Sequence, residues 1–412
     1  MTVAAARMGA LAMAAALLLY GGLSVPAPPA LRGVEGAIGL LILLSIGWKW
    51  PLAVASGHAL RTPPGAGWMK SGRGWMPVAV AAFAWLLWVP LLRGAALGWD
   101  VVDILRDVVP LLYLFLPVLL VPALRAAGRN AVRALAGGIG IAGLLLALRW
   151  WRQADWGFGA IGQRAMADGG AYLLNAPAVL FAAVVLPATA LSLIGIGGRF
   201  RSWLAAIPCA VGGALCLAAL AGAVHRTALG LALLSLALIA LWWARRQAWL
   251  ALPLLIGLGL AAAVGGDALV GAWQQAAEKT RLTGINARWE EAAAVIEHAV
   301  ASPWALLFGD GWGARIANPA VGGWRVSYTH TLASYSLLKT GLCGMVALAA
   351  YLGALVRPWC RLLAADPPLA LTVVPPLAMA LCLHTSFKYL DTGIILSMML
   401  LAAECRKGLS DP

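Results

Sequence analysis

The sequence predicts an all-α polytopic membrane protein, and three observations carry that prediction. Hydrophobic residues make up 62% of the 412 positions and charged residues only 11%, whereas a soluble fold needs far more charge to solvate its surface. Mean hydropathy is +0.86. Apolar runs of about 20 residues, the length a helix needs to cross a bilayer, recur along the whole chain. Short alternating segments of the kind that build a transmembrane barrel are not visible.

Taken in order, spans are expected near Val3–Val25, Val34–Ala55, Met76–Leu97, Val108–Leu124, Ala131–Leu148 and Tyr172–Ile196, then near Trp203–Val224, Thr227–Trp243, Leu250–Val270, Thr331–Val356, Leu369–His384 and Ile394–Ala403, a total of about twelve by the hydropathy criterion. The first run is too long and too weakly charged at its start for a signal peptide, so it reads as an uncleaved span. The formal charge of +14 is distributed in small groups, not in a nucleic-acid-binding patch. The groups are Arg61, Lys70 and Arg73; Arg125, Arg129 and Arg133; Arg199 and Arg201; Arg245 and Arg246; Arg357 and Arg361; Arg406 and Lys407. Each follows an even-numbered span, as the positive-inside rule requires if both termini are cytoplasmic. The chain then divides into spans one to nine (1–272), an outward loop domain (273–329), and spans ten to twelve with a cytoplasmic tail (330–412); in a bacterium the outward side is the periplasm. The six cysteines lie in or beside apolar runs and imply neither a disulfide framework nor a zinc site. Tryptophans such as Trp48, Trp50, Trp75, Trp150, Trp151, Trp242 and Trp243 fall near span ends and read as an aromatic belt. No matched pair of broken spans points to an inverted-repeat transporter.

The long polar segment Trp273–His330 interrupts this pattern and carries Lys279, Arg281, Arg288, Arg315 and Arg325. A helix is expected within it, opened by Asn286, with Glu290 and Glu291 suiting its positive N-terminal end and Trp289, Ala293, Ile296 and Val300 recurring at helical spacing. That stripe fits a helix lying on the membrane or packing on the bundle. Ser302-Pro303 ends it, and a glycine-rich turn, Phe308-Gly309-Asp310-Gly311-Trp312-Gly313, follows. The turn lacks the Lys-Ser/Thr of a P-loop, although its amides could cradle an anion. A second outward loop holds Arg149, Arg152 and Arg164.

Cations on the outward side run against the topology signal, so part of this charge points to a phosphate-bearing ligand, which guanidinium groups grip bidentately. For any one arginine, pairing with Asp100, Asp103, Asp107 or Glu278 is the competing reading. Arg226, beside His225 at the start of a span, stands apart because ionisable groups at that depth are functional by default. His330 opens the next span after the loop and could act as a general base; a structural interface histidine is the competing reading. Gly341 and Gly344 give that span a close-packing face. Lys339 is the clear mid-span charge. No metal-ligand pattern is present, so neither metal nor cofactor is expected.

Three features resemble the bacterial O-antigen ligases, within the wider group of O-antigen ligases and polymerases. They are His330-Thr331 followed by Gly341 and Gly344, the segment His225-Arg226-Thr227-Ala228-Leu229 opening a mid-chain span, and the late outer loop with Arg288-Trp289 and the Phe308–Gly311 turn. The family commonly has Asn, Ser or Gln where this chain has Thr331. The resemblance implies an inverting, metal-independent glycosyltransferase of the GT-C-like multi-span type. Its donor would be undecaprenyl-pyrophosphate-linked O-antigen and its acceptor lipid A–core, in the outer leaflet of the bacterial inner membrane. His330 would be the base, Arg226 and Arg288 would hold the pyrophosphate, Lys388 and Asp391 would support the site, and Arg152 and Arg164 would bind acceptor phosphates. A polymerase or a protein oligosaccharyltransferase of the same group, or a lipid-linked glycan transporter without covalent chemistry, are the alternatives.

Overall fold

The computed structural model describes residues 2–26, 32–56, 58–61, 74–154, 171–197, 200–223, 225–247 and 286–407, and almost all of them are helical. In order these are α1 (Val3–Leu23), α2 (Gly33–Ile46), α3 (Lys49–Ala55), α4 (Trp75–Ala96), α5 (Val101–Leu114), α6 (Leu116–Leu124), α7 (Arg129–Gln153), α8 (Pro177–Gly197), α9 (Phe200–Gly222) and α10 (Arg226–Arg246). After the stretch 248–285, which lies outside the described residues, come α11 (Asn286–Val300), α12 (Pro303–Phe308), the hairpin strands β1 (Ile316–Asn318) and β2 (Trp324–Val326), α13 (Leu332–Ala365), α14 (Pro367–Ala378) and α15 (Leu390–Lys407).

Among the described residues seven helices are long and apolar enough to cross a membrane, and counting each bent pair as one span gives nine. The bent pairs are α2–α3, turned by 88°, and α5–α6, turned by 42°. Gly47 (φ 77°) sits at the first bend. The expected ninth span, Leu250–Val270, lies outside the described residues, as do Lys279 and Arg281.

Prolines inside these helices create a need that indoles meet. Proline has no N–H, so it frees the carbonyl four residues before it, and in lipid no water can satisfy that oxygen. Pro90 frees Leu86 O, which accepts from Trp312 Nε1 at 3.0 Å. Pro122 frees Val118 O, which accepts from Trp50 Nε1 at 2.9 Å. Helix packing elsewhere uses small residues, because apolar side chains gain little by leaving lipid for protein. A Cβ on Gly143 of α7 would lie 2.0 Å from Ala178 O of α8. The aromatic-belt expectation is corrected in part. Trp48 is exposed, but Trp75, Trp150, Trp151 and Trp243 are buried in the bundle, where Trp151 Nε1 donates to Leu215 O.

Cross-links gather several helix ends on one side, here termed the loop end. Arg149 donates to Gly21 O (3.0 Å) and Ser24 O (2.5 Å), joining the ends of α7 and α1. Trp99 Nε1 donates to Asp310 O, and Ser386 Oγ donates to Asn175 O. The α11–β2 segment docks on α13, the element that begins just after His330.

Candidate active site

Helix α11 packs on the protein by the face opposite its apolar stripe. Glu291, Val295 and Ala299, spaced at four residues, are buried, whereas Trp289, Ile296 and Val300 are exposed at 71%, 53% and 59%. The buried face brings a carboxylate into an apolar seam, where it must find donors. Three arrive. His330 N donates to Glu291 Oε1 at 2.7 Å, His330 Nδ1 lies 2.7 Å from Oε2, and Asn318 Nδ2 donates to Oε2 at 2.6 Å. The β1–β2 hairpin holds Asn318 opposite Trp324 and fully buried. Thr331, whose Oγ1 caps Ser334 N, fixes the start of α13 immediately beyond the histidine.

Electrostatics then select the tautomer. Burial pushes the Glu291 carboxyl up, but the hydrogen bonds from the His330 ring and backbone and from Asn318, with the histidine's charge, outweigh it and hold the group below its usual range. An ionised Glu291 can only accept, so the proton of a neutral His330 sits on Nδ1 and the lone pair on Nε2, which has no hydrogen-bond partner among the described residues. The His330 side chain keeps 31% of its surface exposed. A partly exposed imidazole oriented by a buried carboxylate is an arrangement that can take a proton from a hydroxyl.

Arg288 lies one turn before Glu291 on α11, is exposed, and donates from one guanidinium nitrogen to Leu383 O at 3.0 Å. His384, next to that carbonyl, is within electrostatic reach of His225, Arg288 and His330. Three elements therefore meet here, helix α11, the start of α13 and the turn between α14 and α15, with His225, before α10, within electrostatic reach of that turn. Arg226 stands exposed as the first residue of α10, directly after His225.

The remaining expected site residues have other surroundings. Lys388 Nζ lies 4.0 Å from the centroid of the Tyr335 ring. Asp391 is fully buried; it accepts from Ala178 N at 2.7 Å and from Tyr20 OH at 3.5 Å, so it caps α8 and ties it to α1. Arg152 is exposed at the end of α7, and Arg164 lies outside the described residues. The anion cradle expected of the glycine-rich turn is corrected, because its amides are already engaged. Gly309 N donates to Ala305 O, Asp310 N to Leu338 O, Gly311 N to Lys339 O, Trp312 N to Pro90 O, and Gly313 N to Asp107. The turn is a wedge between α4 and α13. It fits because α13 breaks at Gly341 (φ 62°), where a Cβ would lie 2.4 Å from Gly309 N.

Lys339, the mid-span cation, has no exposed surface and donates to Asp107 Oδ2 at 2.5 Å and to Ala314 O at 2.5 Å. Asp107 also receives Tyr335 OH at 2.8 Å. Arg315 pairs with Asp103, as the competing reading of the loop arginines anticipated. His298, exposed on α11, lies 2.5 Å from Asp310 and helps hold the wedge.

Glu291 is the residue sequence reasoning assigned to another task, the helix dipole. Its phase with Val295 and Ala299 was the available signal. No protein-family model matches the chain, and neither a curated protein nor a solved structure is similar to it.

Proposed function

We propose that this protein is an inverting, metal-independent glycosyltransferase that moves a glycan from undecaprenyl pyrophosphate to a sugar hydroxyl of lipid A–core, as an O-antigen ligase does. On this reading about twelve spans cross the bacterial inner membrane, both termini are cytoplasmic, and the loop end faces the periplasm. The observation that carries it is the Glu291–His330 pair, with a guanidinium one turn away on the same helix.

The chemistry balances on these residues. The acceptor oxygen attacks the anomeric carbon while its proton passes to His330 Nε2. The anomeric carbon–oxygen bond breaks, and its electron pair leaves with the pyrophosphate, whose charge Arg288 and Arg226 neutralise. Pyrophosphate is a good leaving group, so cations suffice where other enzymes use an acid or a divalent ion. Holding two lipids at one crevice supplies proximity, worth roughly 7–11 kcal/mol at best. A transporter would instead keep its mid-membrane charge free to work, and here Lys339 is saturated by Asp107 and Ala314. A polymerase or a protein oligosaccharyltransferase would use the same pair on a different acceptor.

The test is reconstitution of the purified protein with polyprenyl-pyrophosphate-linked glycan and lipid A–core, without ATP or added metal. Glycan-bearing lipid A–core on a gel is expected. Absence of transfer by the folded protein to this acceptor would remove the ligase assignment, and transfer undiminished in His330→Ala would remove the mechanism.

A further inference from the structure

The loop that carries the candidate site reaches below the ends of the spans, and α4 measures how far. Its 22 residues cover about 33 Å, little more than the hydrocarbon core of a bilayer, so nearly its whole length lies in lipid. The wedge Gly309–Gly313 meets α4 inside its loop-side end, Ala96. A Cβ on Gly94 would collide with Trp312 O, Trp312 N donates to Pro90 O, and the Trp312 indole reaches Leu86 O. Pro90 lies six residues before Ala96, roughly 9 Å along the helix.

Non-helical backbone at that depth must find its partners in protein, and it does. The five amides of the wedge are engaged. The carbonyls of Gly309, Asp310 and Ala314 accept from the side chains of Arg93, Trp99 and Lys339. Arg93, in the last turn of α4, also faces Asp310 at 3.9 Å, so a cation at the edge of the hydrocarbon is spent on the wedge.

Two helices bring the chain down to this point. Helix α12 runs into the wedge and seats at the break in α13, where the backbone of Leu307 and Phe308 fills the space of a Gly341 Cβ. Its Trp304 is 64% exposed, and Leu307 is exposed beside it. Leu342, next to Gly341, and Val346, one turn further, are exposed on α13. The apolar surface of α12 therefore continues into that of a spanning helix. Helix α11 has three faces. Glu291, Val295 and Ala299 pack inward, Trp289, Ala293, Ile296 and Val300 form the exposed stripe, and Glu290 and Glu297 are exposed beside it. The two carboxylates stand about 90° around the helix from the stripe. An apolar stripe beside a charged ridge suits a helix at a boundary, with lipid chains on one side and water on the other. From Gly341 back to Leu332 is roughly 14 Å of helix, which lifts His330 into the headgroup zone.

We propose that residues 286–314 form a re-entrant insertion in which Ile296, Val300, Trp304 and Leu307 are immersed in the acyl chains of the leaflet at the loop end, with Trp289 at headgroup level. The occupant of this face is lipid, not another protein surface. The insertion is independent of whether the protein transfers a glycan.

Full-length protein in phosphatidylcholine liposomes tests this in two ways. In the wild type, hydroxyl radicals generated by X-ray radiolysis oxidise accessible tryptophans, and peptide mass spectrometry reads each one. Trp304 and Trp324 are exposed on the protein surface at 64% and 76%, but Trp324 pairs with Asn318 in the hairpin, at the level of His330. Trp304 is expected to be oxidised about tenfold less than Trp324, the discrimination that acyl burial of one large apolar side chain gives. Equal oxidation would overturn the proposal. The second arm identifies what covers the face. The photo-crosslinking residue p-benzoylphenylalanine is placed at Val300, Leu307 or Glu297, one position at a time. Lipid adducts are expected at Val300 and Leu307, and about tenfold fewer at Glu297 on the water side. Adducts between two protein chains in place of lipid adducts, or lipid yields at Val300 and Leu307 no higher than at Glu297, overturn it. Should either apolar variant fail to fold, the other decides together with the wild-type oxidation.

Discussion

Two acid–base pairs lie near the start of α13, and they are built to opposite ends. Lys339 and Asp107 are sealed: the lysine has no exposed surface, and the carboxylate is shared with Tyr335 and the Gly313 amide. His330 and Glu291 are sealed on one side only, with the carboxylate buried and the imidazole partly open. The first pair is a joint that fastens the loop to α5 and α13. The second leaves one lone pair unspent. On the proposed mechanism, depth in the bundle does not identify the working group; an uncommitted lone pair does.

The comparison is sharpest where it can be broken. Replacing His330 by Ala should lower glycosyl transfer by about 10²–10⁴-fold while the folded protein persists, the range expected for loss of a general base; single-turnover transfer in liposomes measures it. Asp107→Asn should instead destabilise the fold by about 3–5 kcal/mol, because it strands the buried lysine, and Asp107→Asn combined with Lys339→Met should recover most of that loss. Unfolding in detergent reads both, and an Asp107→Asn variant of native stability would erase the distinction drawn here.

Glu291→Gln keeps the shape but not the charge, and should reduce kcat by about 10–100-fold, as loss of an orienting partner does, with the donor KM little changed. A loss confined to KM would argue against an orienting role. Arg288→Lys should weaken donor binding by about tenfold, since an ammonium cannot reproduce the guanidinium fork; a binding isotherm with the lipid pyrophosphate checks it. The smallest effect is on pH dependence. Glu291 is depressed in the folded state from 4.5, so its contribution is fully present above that ordinary value and fades as pH falls through the lower folded one. The stability gap between wild type and Glu291→Gln should shrink as pH falls below the ordinary carboxylate range.

Much of the frame was legible, because hydropathy reports the solvent a segment needs. The expected spans at Val3–Val25, Met76–Leu97, Ala131–Leu148 and Thr227–Trp243 coincide with α1, α4, α7 and α10. The 88° bend at Gly47 was not, since apolar windows run straight through it. His330 and Arg288 could be picked out as a histidine and a cation at a membrane boundary, but Glu291 could not be paired with His330. The hairpin that carries Asn318 brings them together, and no local pattern encodes that meeting. The apolar stripe on α11 left two placements open, on the membrane or on the bundle; its residues are exposed, and the opposite face, which packs, carries the carboxylate.

The tie between Trp312 and Leu86 has a consequence for biogenesis. Helix α4 leaves the ribosome early with an oxygen that its own proline has disarmed, and the indole that covers it is made much later. Until then the nascent chain holds a wet spot inside the bilayer. A protein stalled before Trp312 should thus be a substrate for membrane quality control, and the arrival of the wedge should mark the moment when the chain becomes resistant to it.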